Sequence, residues 1–128
     1  MSKAEFISNP PFNVLNIDIS QDADWNDPFQ IFEGTGVPLD LTGAMLELYI
    51  RPTYDHVTLF KKLTSLGNAG IIIDDPQQGM AYFFLDRSVV LAELPVGRWK
   101  QFLVLTEGSL QTEIWRGSMN IHPGIIAP

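Results

Sequence analysis

The chain has no cysteine, which excludes disulfides, thiolate metal sites and cysteine nucleophiles. It is short of positive charge: 8 Lys and Arg face 15 Asp and Glu, for a formal net charge of −7. With no basic stripe to neutralise phosphates, neither nucleic acid nor an anionic membrane is expected as a partner. No apolar run approaches the roughly 18 residues of a membrane-spanning helix. The N-terminal MSKAEFISNPPFN lacks the apolar segment of a secretory signal. A protein made in the cytoplasm, which stays there or leaves as part of something larger, is expected. Catalytic signatures are equally scarce. Ser88, Ser109 and Ser118 lie outside any G-x-S-x-G elbow. Gly67-Asn68-Ala69-Gly70 is followed by neither the helix nor the lysine that a phosphate-cradling loop needs. Neither enzyme activity nor a cofactor is expected.

What is present is enough to fold. The 128 residues are 45% hydrophobic and 18% charged, a composition that suits a single globular core. Met1 to Asn13, with Asn9-Pro10-Pro11, reads as an extended arm, and residues 14–128 as one domain. The organising stretch is VPLDLTGAMLELYIRP, Val37 to Pro52. Its turn residues Pro38, Asp40, Thr42 and Gly43 lead into Leu46, Leu48 and Ile50, which alternate with Glu47, Tyr49 and Arg51. That period of two marks a strand with one dry face and one wet face.

Val14 to Ser20 alternates in the same way, and an acidic loop from Gln21 to Pro28 leads to a short strand, Phe29 to Glu33. Val57 to Leu63, with Lys61 and Lys62, suits an exposed edge. Ile71 to Asp74 and Met80 to Leu85 form a hairpin across the turn Asp75 to Gly79. Pro95 limits Ser88 to Leu94 to one or two helical turns that cross between sheets. Gly97 to Thr106 and Leu110 to Ile121 make the longest hairpin, with Trp99, Leu103 and Leu105 on one face and Trp115, Met119 and Ile121 on one face of its partner. Both faces are expected to meet the Leu46 face across the core.

Seven to eight strands punctuated by turns predict an all-β, antiparallel sandwich with one short crossover helix. Leu94-Pro95-Val96-Gly97-Arg98-Trp99 stands where the crossover reaches the penultimate strand. It resembles the L-P-x-G-x-Y of fibronectin III-like and immunoglobulin-like sandwiches, whose Tyr hydroxyl makes a corner hydrogen bond. Trp99 replaces that Tyr; its indole N–H can donate, with a different reach.

Each candidate for chemistry has a plainer reading. Asp22, Asp24, Asn26 and Glu33 fall at positions 1, 3, 5 and 12 of an EF-hand register, which makes Asp22, Asp24 and Asn26 the metal candidates. Asp27 occupies the position that needs Gly and Pro28 follows it, so a solvated Asx-rich turn is preferred. His56 and His122 lack a third ligand at metal spacing. Asp74, Asp75 and Asp86 bracket a hairpin as turn residues do, more cheaply than as a glycosidase pair. Trp25, Tyr54 and Trp115, with the acidic loop, are the candidate platform for a host surface glycan. Tyr49, Met80, Tyr82, Phe83 and Phe84 are the candidate interface. Met80 to Leu85, MAYFFL, is apolar on both faces, so a neighbouring subunit is expected over its outer one.

Asp24-Trp25, Asp40-Leu41-Thr42-Gly43, Ile50-Arg51, Gly70-Ile71-Ile72-Ile73, Gly79, Leu94 with Gly97 and Trp99, Gly117 and Pro123-Gly124 follow one another over about residues 17 to 125. In order and spacing they resemble a group of small phage and prophage virion proteins that includes N-terminal domains of baseplate upper proteins. DLTG followed by IR and the late glycine is the least generic part; Trp99 for Tyr, and Gln101 where a second Tyr is frequent, are the departures. The resemblance implies an immunoglobulin-like sandwich built into a tail, baseplate or other virion surface, with no catalytic residue to carry over. It implies a tail or baseplate adaptor or surface component, a homo-oligomer in the particle partnered by other virion structural proteins. Capsid decoration is the nearest variant, and a carbohydrate-binding module the alternative from another class.

Overall fold

The computed structural model describes residues 4–7, 13–34, 36–52 and 60–124. Its alternating apolar segments become ten strand segments: β1 (Ala4–Ile7), β2 (Asn13–Val14), β3 (Ile17–Ser20), β4 (Trp25–Phe32), β5 (Met45–Arg51), β6 (Lys61–Thr64), β7 (Ile71–Asp75), β8 (Met80–Leu85), β9 (Gly97–Glu107) and β10 (Leu110–His122). One helix, α1 (Arg87–Glu93), joins β8 to β9. A four-stranded sheet runs β1-β4-β8-β7, and a six-stranded one runs β2-β10-β9-β5-β6 with β3 also on β10. The fold is therefore all-β and built from two sheets, as the periodicities predict.

The inner strands pair antiparallel, but the edges do not. β1 lies parallel to β4, and β2 and β3 lie parallel to β10 in one continuous register. Expectation of a wholly antiparallel sandwich is corrected there. Within Met1 to Asn13, Ala4–Ile7 forms β1 and Asn13 opens β2; residues 1–3 and 8–12 lie outside the described ones.

The core placement also needs correcting. Leu46, Leu48, Ile50, Leu103, Leu105, Trp115, Met119 and Ile121 are all buried as expected. Yet β5, β9 and β10 are neighbours in one sheet, so these rows lie side by side rather than opposite. Facing them are Trp25, Phe29, Ile31, Ile71, Ala81 and Phe83 of the four-stranded sheet. A period of two says which face is dry, not which dry faces oppose. Phe29 bridges the sheets: it lies 4.8 Å from the Phe83 ring and meets Trp115 edge-on at 5.2 Å.

The supposed acidic loop is shorter than expected, because β4 begins at Trp25 and carries Pro28 within it. Proline lacks a donor and is tolerated where a strand's side is open. Pro28 stands one residue before the Phe29–Phe32 segment that β1 covers. At the other end, the segment expected as one strand from Val14 to Ser20 is interrupted at Leu15 and Asn16. There the Leu15 carbonyl turns in to accept the Gln101 amide at 2.7 Å. Gln101 is 0% exposed, and its own carbonyl accepts the Trp115 indole N–H at 2.7 Å. Opposite the interruption stands Gly117: a Cβ there would sit 1.7 Å from the Leu15 oxygen. A buried polar residue, an aromatic and a missing side chain thus form one interlocking contact.

One turn matches its sequence signal. In Asp40-Leu41-Thr42-Gly43, the Asp40 carboxylate accepts the Thr42 N–H at 2.9 Å and its hydroxyl at 2.6 Å, while Leu41 is buried and Gly43 takes φ +76°. Those hydrogen bonds hold the Asp40 carboxyl below its ordinary range. α1 is capped by Asp86, which accepts the Ser88 N–H at 2.7 Å.

Candidate interaction faces

The acidic residues that suggested a cation are engaged elsewhere. Asp24 accepts the Arg87 N–H at 2.7 Å, supplying a partner to the first turn of α1. Asp27 accepts the Trp25 indole N–H at 2.8 Å. Asn26 faces solvent on the outer side of β4, and the Asp22 carboxylate packs against the backbone at Gly124. Asp24 and Asn26 line one recess with Asp18 and Asp27, and Asp22 is not part of its lining. Among the described residues no group of three or more His, Asp and Glu could hold a metal ion. His122 meets Asp18 at 3.1 Å, and Asn120 donates to the same carboxylate oxygen at 3.1 Å. The His122 contact and then the Asn120 bond lower the Asp18 pKa.

The glycan platform is also corrected. Trp25 is buried and stacked on Phe83 at 4.8 Å, and Trp115 is buried against Phe29. Neither presents a face to solvent. Tyr54 and His56 lie outside the described residues. A recess of about 200 Å³ opens between the sheet edges, with Phe29, Phe83 and Trp115 at its base and Asn16, Asp18 and Asp27 at its rim. It is smaller than the roughly 300–1,000 Å³ typical of small-molecule sites.

The interface candidates separate into two opposite faces and the core. Phe83 is 2% exposed and belongs to the core, because it shares the inward parity of Ala81. Met80, Tyr82 and Phe84 point outward; Phe84 is 38% exposed. Cross-strand pairing sets Tyr82 between Ile72 and Pro28 in one row, and Asn26, Pro28, Ile72, Tyr82 and Phe84 line a shallow apolar depression. None of the four strands of this sheet contains a lysine or arginine.

Tyr49 lies on the other side of the molecule. It occupies the outer face of the six-stranded sheet, in a row that runs Lys62, Tyr49, Phe102, Arg116 across β6, β5, β9 and β10. The Arg51 guanidinium stands 5.6 Å from the ring centroids of both Tyr49 and Phe102, within cation–π range. This face is drier than the alternation implies. Glu47 is only 7% exposed, and it accepts the Tyr49 hydroxyl at 3.0 Å and pairs with Lys62 at 3.1 Å. Burial, then the bond to Glu47, raise the Tyr49 pKa, and the Glu47 bond raises that of Lys62. Sequence parity placed these side chains outward; it did not reveal that their aromatic stems cover one another.

A scan against protein-family models finds no match to this chain. No curated protein matches it either.

Proposed function

We propose that this protein is a structural component of a phage or prophage virion, at the tail or baseplate, and that it works by binding neighbouring subunits rather than by catalysis. The observation that carries the assembly role is the outer face of the four-stranded sheet. Met80, Tyr82 and Phe84, beside Ile72 and Pro28, leave an apolar surface whose depression is lined by no charged side chain. Contiguous apolar surface of this kind marks a site of protein contact.

The immunoglobulin-like reading is supported by strand order and by the corner. β1-β4-β8-β7 against β10-β9-β5-β6 follows the ABED and GFCC′ orders of that class, although β1 runs parallel to β4. Trp99 Nε1 donates to the Pro95 carbonyl at 3.3 Å, reaching back four residues as the corner tyrosine does. Its ring also stacks on Phe60 at 4.4 Å. Virion placement rests on the DLTG, IR and late-glycine pattern, whose residues serve turns and close strand approaches here.

Co-migration tests the reading. Purified protein is mixed with phage tail and baseplate proteins and run on a sizing column, with Tyr82→Lys as the matched variant. A complex that forms with the parent and not with the variant is expected. A strictly monomeric protein that is also absent from particles overturns the proposal, and cryo-microscopy of particles separates a tail position from capsid decoration.

A further inference from the structure

We propose that copies of this chain stack in line, the outer face of the six-stranded sheet of one copy seated on the outer face of the four-stranded sheet of the next. This rests on the assembly reading and names its partner: a second copy.

Charge is segregated between the two sheets. Arg51, Lys61, Lys62, Arg98, Lys100 and Arg116 all lie on β5, β6, β9 and β10, so the six-stranded sheet carries 6 basic and 4 acidic residues. The rest of the chain holds 2 basic and 11 acidic residues, and the four-stranded sheet has no basic one. The two outer faces therefore differ in kind. One is an aromatic row, Tyr49 and Phe102, bounded by the cations Lys62 and Arg116 and overlaid by Arg51. The other is the apolar row Ile72, Tyr82, Pro28, with Asp74 and Asp75 exposed at its β7 edge.

Seating the first face on the second puts aromatic on apolar and cations beside carboxylates. Lys62 and Arg116 already pair with Glu47 and Glu113, but the six-stranded face keeps an excess of positive charge, so pairing either face with itself gathers like charges. Because the complementary faces lie on opposite sides of the sandwich, a pair does not close. The contact continues into a ring or a stack, as heterologous interfaces do. Strand spacing sets the footprint of the four-stranded face at about 400 Å². That is about half of the roughly 800 Å² per partner of a standard stable interface. The contact is therefore weak between free copies and effective where a particle holds them together.

The absence of cysteine permits a direct test. Asn26→Cys places a thiol on the four-stranded face, Val104→Cys places one beside Phe102 on the other, and Glu107→Cys at the β9–β10 turn is the control. Asn26→Cys and Val104→Cys proteins are mixed in equal amounts and oxidised with copper–phenanthroline. Mixed dimers are expected to exceed the two same-site dimers together severalfold, the excess shrinking at high salt. The double variant should give a ladder, and Glu107→Cys should pair with either site only at the level of random collision. If Val104→Cys loses the β-sheet circular dichroism spectrum, Lys62→Cys on the same face replaces it. Same-site dimers in excess, or no excess of mixed dimers, overturn the stack. If the protein then still co-migrates with tail proteins, assembly stands and self-stacking alone falls.

Discussion

Gly117→Ala probes the tightest contact in the fold. A Cβ at 117 would sit 1.7 Å from the Leu15 carbonyl oxygen, whereas real Cβ contacts stay beyond 3.0 Å, so the β2–β3 connection must retreat from β10. Retreat breaks the 2.7 Å bond from the Gln101 amide to Leu15 and the 2.9 Å bond from the Leu15 N–H to Arg116. It leaves the buried Gln101 amide with only a long 3.4 Å contact to the Ser118 carbonyl. Two hydrogen bonds at about 1 kcal/mol each, plus a further 1 kcal/mol or so for the poorly satisfied amide, come to about 3 kcal/mol. Against a typical stability of roughly 5–15 kcal/mol that is a large share.

Thermal unfolding followed by circular dichroism should show Tm falling by about 10 °C. Hydrogen exchange should show the Leu15 amide losing protection before the β5 and β9 amides do. Gly108→Ala is the control, because Gly108 has φ +60° with open space around the Cβ position. It tests left-handed backbone strain alone and should cost about 1 kcal/mol. A Gly117→Ala protein no less stable than Gly108→Ala, or one that keeps full Leu15 protection, refutes the reasoning.

Three other outcomes are expected. Phe83→Ala should destabilise by about 3–5 kcal/mol in urea unfolding, as a buried aromatic does, whereas Tyr82→Lys should stay within about 1 kcal/mol of the parent. Asp18 has a folded pKa below its ordinary 3.8, so its stabilisation is present above that value and is lost as pH falls through the lowered one. Because the group is exposed, Asp18→Asn should remove only a few tenths of a kcal/mol from the acid limb, read as Tm between about pH 6 and about pH 2. Trp99→Phe keeps a ring to stack on Phe60 and loses the bond to Pro95, at a cost of about 0.5–1 kcal/mol in the same unfolding assay.

Strand existence was legible wherever one face is dry: the alternation at Leu46, Leu48 and Ile50, and the hairpin of Ile71 to Asp74 with Met80 to Leu85, appear as expected, with bounds moved by a residue or so. Turn chemistry at Asp40 to Gly43 was legible for the same reason, since an Asx turn is made by residues close in sequence. Candidate surfaces were legible only in part. Met80, Tyr82 and Phe84 are outward, but Phe83 and Trp25 read as surface aromatics and are core. In MAYFFL both parities are apolar, and nothing local says which one the second sheet will cover.

The amino-acid order alone determined the all-β class, the turns at Asp40 to Gly43 and Asp75 to Gly79, the short helix before Pro95 and the shortage of cations, because each is set by composition or by residues within a few positions of one another. Tertiary structure decided the rest. It set β5, β9 and β10 side by side, turned the Leu15 carbonyl onto Gln101 across 86 positions, and gathered most of the cations on one sheet. Those contacts join segments far apart in the chain, and strand pairing is chosen by the packing of whole faces, which no local pattern encodes.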